Sequence, residues 1–129
     1  MKKKLLIAGA VLGILGVILG AFAAHGLEKL VDADAIKSFE TGVRYQLYHA
    51  FLLLILGSTS FVSLKLKKTI FHLVLFGLIF FSGSIYGLAT NALSSIDFKT
   101  IAMITPIGGL LLIAAWVVML IGIIRSKVD

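Results

Sequence analysis

The chain has 129 residues, 60% of them hydrophobic, with a formal net charge of +6 and a mean hydropathy of +1.11. A soluble domain of this size cannot hide that much apolar surface, so the composition points to a single all-α integral membrane domain over residues 1–129. The lack of cysteine excludes disulfides, thiolate nucleophiles and cysteine-ligated metals. The lysines sit in short clusters beside apolar runs, which marks membrane topology rather than a nucleic-acid face.

Four membrane spans are expected, at about 5–24, 43–64, 69–90 and 99–124. Their apolar runs are continuous rather than alternating, which argues against a strand barrel. The first, LLIAGAVLGILGVILGAFAA, follows MKKK and resembles a signal peptide, but its apolar core exceeds the usual length of about 7–15 residues. We read it as a retained span. Gly9, Gly13, Gly16 and Gly20 share one of its faces and include two GxxxG spacings, a surface for close helix packing in lipid. His25 stands in its last turn, and Gly26 is expected to end it with a left-handed cap.

The segment HGLEKLVDADAIKSFETG is too long for a simple turn. It predicts a short interfacial helix, capped by Asp32 or Asp34, that runs on toward Glu40 and into the second span, with Ala35, Ile36 and Phe39 on its apolar side. The second span then opens with ETGVRYQLYHA. Arg44, Tyr45, Tyr48 and His49 fall within an arc of about 140°, and Glu40 precedes Arg44 by the four residues of a helical ion pair. Gln46 lies in the same first turns. The third span ends in SGSIYGLATN, with Ser82, Ser84, Tyr86 and Asn91 as polar candidates and Gly83 and Gly87 spaced for packing. The fourth begins with Thr105, Pro106, Gly108 and Gly109, where Pro106 is expected to kink the helix and free the carbonyl of Ala102. Trp116 is expected to pack or to face lipid.

The cations set the orientation. Lys2, Lys3, Lys4, Lys65, Lys67, Lys68, Arg125 and Lys127 belong to one side, and the other has Lys29, Lys37 and Lys99, with Arg44 at its rim. The positive-inside rule places both termini in the cytoplasm, N-in and C-in, as a four-helix bundle in the bacterial inner membrane. His25, Glu40, Arg44, Tyr45, Tyr48, His49, Ser82, Ser84, Tyr86, Asn91 and Thr105 then converge in the outer leaflet, while the inner half is nearly all Leu, Ile, Val and Phe.

Four stretches in order, GAFAAHGL, RYQLYHA, FFSGSIY and ITPIGG, resemble the motifs of the YgdD/YwdK-like family of small bacterial membrane proteins, defined by a domain of unknown function. The resemblance covers nearly the whole chain. It implies a four-span inner-membrane protein and brings no activity with it. The family pattern favours glycine where this chain has Ala23 and a small residue where it has Met103.

Intramembrane ionisable groups point to function by default. Arg44 has the chemistry to hold a lipid phosphate or an acidic partner, and His49 that of a proton-exchanging group. Each also has a structural reading: Arg44 snorkelling to the interface, His49 hydrogen-bonded as a neutral ring. Three histidines on three helices, with His72 at the cytoplasmic end, make no metal site, and no cofactor motif is present. The expected role is non-enzymatic binding or assembly through the outer-leaflet cluster. The ligand would be a lipid head group, an amphiphile or a partner membrane protein, with a homo-oligomer as a further option. The alternative is an oligomeric transporter or channel component. A head-group-modifying enzyme is the weakest reading, because no nucleophile–base pair is visible.

Overall fold

A computed structural model describes residues 1–90 and 102–127. Helix α1 runs over Lys2–His25 and passes through a 3-10 turn, Leu27–Lys29, to α2 at Ala33–Ser58. Helix α3 covers Leu64–Leu78 and continues through a π turn, Ile79–Gly83, into α4 at Ser84–Ala89. Helix α5 covers Ile104–Ile124. There is no strand among the described residues.

The helix ends follow from local chemistry. Asp32 caps α2 by accepting from the Ala35 N–H at 2.8 Å, and Ser63 caps α3 by accepting from the Leu66 N–H at 3.3 Å. No breaker lies between these caps until Thr59 turns extended, so the expected interfacial helix and second span form one rod. That rod ends at Ser58 rather than near residue 64, and α3 starts at Leu64 with its lysines inside the first turns. Gly26 does not take the left-handed cap: its φ is −100°, and its N–H donates to the Phe22 carbonyl at 2.9 Å. The chain tightens into the 3-10 turn there instead of reversing. Pro106 lies in the first turn of α5, where its missing N–H has no helical partner to lose, so it begins a helix instead of kinking one.

Three stretches are long and apolar enough to cross a membrane: 2–29, 64–89 and 104–124. Helix α2 is not among them, since its charged start and the Arg44–His49 region interrupt its apolar run. It is nevertheless the best-covered helix, with ten buried residues against four in α1 and five in α5. The most polar helix is thus sheltered by the most apolar ones. The outer coat of α1 and α5 includes Ile14, Val17, Ile18, Leu110, Ile113 and Leu120, all more than half exposed. In water such a surface would aggregate; in lipid it is a solvated face.

Helix α1 packs along α2, and α3 along α5. The two pairs join where α2 meets the π turn and α4. Glycines allow the closest approaches. A Cβ at Gly9 would lie 2.9 Å from the Ala50 carbonyl oxygen, and one at Gly16 would lie 2.6 Å from the Leu47 side chain. A Cβ at Gly108 would strike the backbone of the π turn itself. Gly20 has looser contact with Val43 at 3.4 Å, Gly109 sits beside the Phe81 ring, Gly83 meets little, and Gly13 meets nothing within 4 Å. Gly87 is half-buried in α4, where its carbonyl accepts from Thr90 Oγ1 at 3.4 Å.

Two apolar cores result. One, around Leu5, Leu53, Leu56, Ile70, Val74 and Leu112, fills the end where α1 begins and α5 finishes. The other, around Ala23, Leu27, Phe39, Val43 and Ala89, fills the opposite end. Between them lies a layer of buried polar side chains: Gln46, His49, Ser82 and Ser84.

Candidate functional site

The polar layer resolves into three hydrogen-bonded groups, each joining different helices. In the first, Gln46 on α2 donates through Nε2 to the Leu12 carbonyl of α1 at 2.9 Å, and its Oε1 accepts from the Tyr86 hydroxyl at 2.6 Å. The carbonyl can only accept, so it fixes the orientation of the amide. Gln46 thereby ties α1, α2 and α4 together. Nearby, Ser82 Oγ donates to the Gly42 carbonyl at 2.8 Å, and the Tyr86 ring lies over Gly42, where a Cβ would come within 2.7 Å of it.

The second group joins α4 to α5. Ser84 Oγ lies 2.6 Å from the Phe80 carbonyl and 2.9 Å from that of Phe81, and also contacts the Thr105 hydroxyl. Ser84 has one proton and those carbonyls accept it, so Thr105 supplies the proton of the bond between the hydroxyls. Ser82 and Ser84 are two residues apart, which on a helix turns them to nearly opposite sides. One therefore reaches α2 and the other α5. The π turn, which contains Ser82 and ends just before Ser84, supplies the Phe80 and Phe81 carbonyls that the Ser84 hydroxyl meets.

The third group bridges α2 and α5. Trp116 Nε1 donates to His49 Nε2 at 3.1 Å, while His49 Nδ1 lies 2.6 Å from the Tyr45 carbonyl. An indole N–H can only donate, so Nε2 carries no proton and Nδ1–H donates to Tyr45. The ring is neutral, and both its nitrogens are engaged. Both Trp116 and the Leu12 carbonyl lie near the middle of their helices, so this layer sits at mid-length of the helices rather than at their ends. Tyr45 covers the His49 ring and packs on Phe81, with centroids 5.0 Å apart.

The remaining candidates stay outside this layer. Arg44 is exposed and donates from Nη2 to Thr41 Oγ1 at 3.0 Å rather than pairing with Glu40. Thr41 spends its own proton on the Lys37 carbonyl, which leaves its lone pairs one turn below the guanidinium. Glu40, Tyr48 and His25 are exposed, and His25 only ends α1. Asn91 lies outside the described residues. His72 is exposed midway along α3, with Nδ1 2.8 Å from the Lys68 carbonyl. No group of three metal-ligating side chains exists among the described residues.

Every buried side-chain nitrogen and oxygen among the described residues has a partner. The groups left to meet a ligand are therefore at the edges. Two grooves flank the His49–Trp116 bridge. One, of about 410 Å³, runs past Tyr45, Tyr48, Phe51, Ile55 and Met119. The other, of about 250 Å³, runs past Phe81, Gly109, Leu112 and Ile113. Both include Tyr45, His49 and Trp116. Neither Tyr45 nor Tyr48 uses its hydroxyl within the described protein.

Gln46 and Trp116 are the residues that sequence reasoning passed over. Gln46 itself was a signal, because an amide at that depth must find partners. Trp116 gave no signal, since a lone tryptophan in a span is usually apolar cover.

The chain resembles known proteins along nearly its whole length. Residues 19–109 match a family profile described as "Protein of unknown function (DUF423)". A UPF0382 membrane protein of Haemophilus influenzae is 37% identical over 127 residues, covering 98% of both chains. The UPF0382 inner membrane protein YgdD of Escherichia coli is 36% identical, covering 98% of this chain and 93% of its own. The UPF0382 membrane protein YwdK of Bacillus subtilis is 34% identical, covering 95% and 98%. No solved structure matches. With three stretches long and apolar enough to cross a membrane and these relatives along its length, the chain belongs to the DUF423 family of membrane proteins, whose function is unknown.

Proposed function

We propose that this is a non-enzymatic, four-span protein of the cytoplasmic membrane, with both termini inside, that binds a membrane amphiphile with its chain or ring in the grooves between α2 and α5 and its head at their rim. Close packing supports the common end of the cations: Gly57 sits against Leu5 and Leu6, and Gly122 against Val62 and Leu66. Lys2–Lys4, Lys65–Lys68 and Arg125 are thereby gathered at one end, which the positive-inside rule assigns to the cytoplasm. The sheltered α2 then crosses as the fourth span.

The observation that carries the binding reading is the pair of aromatic grooves meeting at Tyr45, His49 and Trp116. Their sizes suit an acyl chain or ring, and their lining is apolar, as in small-ligand sites. The Tyr45 and Tyr48 hydroxyls stand ready to donate at the edge. Arg44, one residue before Tyr45, adds a guanidinium at the rim with most of its donors unused. Against catalysis stands the state of His49: with both nitrogens engaged, it cannot serve as a general base without first giving up the Trp116 bond.

The test is native mass spectrometry of the protein released from its own membrane, wild type beside Arg44→Leu and the double variant Tyr45→Phe/Tyr48→Phe. A bound mass on the wild type that is lost in the variants supports the reading and gives the ligand class. Bare protein in every sample rejects it and moves the weight to helix assembly.

A further inference from the structure

We propose a second and independent site at the opposite, cation-bearing end of the helices, which takes a phosphate group presented by an anionic lipid. A cavity of about 420 Å³ lies between the α2–α3 turn and the end of α5, lined by Ser60, Phe61, Ser63, Lys65, Leu66 and Arg125 among others. Lys65 and Arg125 come from different helices and converge on it. Neither side chain makes a hydrogen bond or ion pair within the described protein.

The local chain is shaped to keep this space. Gly122 lets the turn close on α5, since a Cβ there would lie 3.1 Å from Val62 Cγ1. Lys67 donates its ammonium to the Thr59 carbonyl and fastens the end of α2, so it belongs to the turn rather than to the cavity. The Ser63 oxygen accepts from the Leu66 N–H, which leaves the hydroxyl proton to donate elsewhere. The Ser60 hydroxyl has no partner in the described protein.

A guanidinium, an ammonium and two hydroxyl donors around one space form a donor set for a phosphate. The carboxylates of the described residues, Glu28, Asp32, Asp34 and Glu40, all lie at the other end and do not compete. The cavity is roomier than a bare phosphate needs, and Phe61 and Leu66 wall part of it. That shape fits the glycerol and first methylenes of a lipid whose phosphodiester meets Lys65 and Arg125. The site shares no residue with the grooves beside His49.

The experiment titrates the delipidated full chain with phosphatidylglycerol or phosphatidylcholine and reads bound lipid by native mass spectrometry. The wild type is expected to favour phosphatidylglycerol by about tenfold or more. The double variant Lys65→Gln/Arg125→Gln is expected to lose that preference, while Lys65→Arg, which keeps the charge, and Lys127→Gln, which lies off the cavity, retain it. A double variant that keeps its helical circular dichroism and the full preference overturns the proposal. Inorganic phosphate added against chloride at equal ionic strength separates the sources. Displacement of the lipid by phosphate alone assigns a free phosphate, and no displacement assigns the lipid.

Discussion

The contact between Gly108 and the π turn allows a sharp test of the packing. A Cβ at position 108 would lie 2.7 Å from the Phe80 carbonyl carbon and 2.8 Å from the Gly77 carbonyl oxygen, and would also meet the Phe81 nitrogen. Ordinary contact begins near 3.4 Å, and these atoms are backbone, which cannot swing aside as a side-chain tip can. Gly108→Ala therefore has to push α5 from the π turn by about 1 Å, and overpacking of this kind costs about 1–3 kcal/mol. The shift also loosens the Ser84–Thr105 contact, which crosses the same junction. Gly13 provides the reference, since its Cβ would enter open space and alanine favours a helix by about 0.5–1 kcal/mol over glycine. Thermal unfolding in detergent, followed by far-ultraviolet circular dichroism, should place Gly108→Ala well below the wild type and Gly13→Ala at or above it. Equal midpoints for the two variants would refute the close approach of α5 to the π turn.

Further outcomes follow from the polar layer. Gln46→Leu removes the bonds to Leu12 and Tyr86 and strands a phenol, so it should cost about 1–3 kcal/mol; Tyr86→Phe should cost about 1 kcal/mol or less, by the same unfolding assay. Trp116 is the single tryptophan, so its emission reports on its bond to His49. That bond needs an unprotonated Nε2, so it is present at high pH and lost as His49 takes a proton. Progressive acidification should change the emission in one step, and the step should vanish in His49→Gln; a flat profile in the wild type down to the onset of acid unfolding would show that the ring stays neutral throughout. If His49 also serves the proposed ligand, retention by the native protein should fall over the same pH range, which the mass-spectrometric assay reads directly.

The class of the protein was legible in its sequence because lipid imposes one-dimensional rules. Length of apolar run and placement of lysines report on a bilayer without knowledge of any contact. The helical character and the concentration of polar side chains at RYQLYH and SGSIY were open to reading in this way. Gly9 and Gly16 were visible as packing residues, but their spacing on one face could not separate them from Gly13, which the fold leaves open.

What only the tertiary structure decided is who meets whom. Arg44 and Glu40 have ion-pair spacing, yet Arg44 donates to Thr41, whose own proton goes to the Lys37 carbonyl. Ser82 and Ser84 look alike in the chain and serve different helices, because they sit two residues apart on nearly opposite sides, Ser82 within the π turn and Ser84 just after it. Gln46 and Trp116 became central only once their partners, 34 residues away at Leu12 and 67 away at His49, were brought alongside. Periodicity assigns a residue to a face of its own helix. Which neighbour covers that face, and at what depth a donor finds its acceptor, is settled by packing between helices distant in sequence.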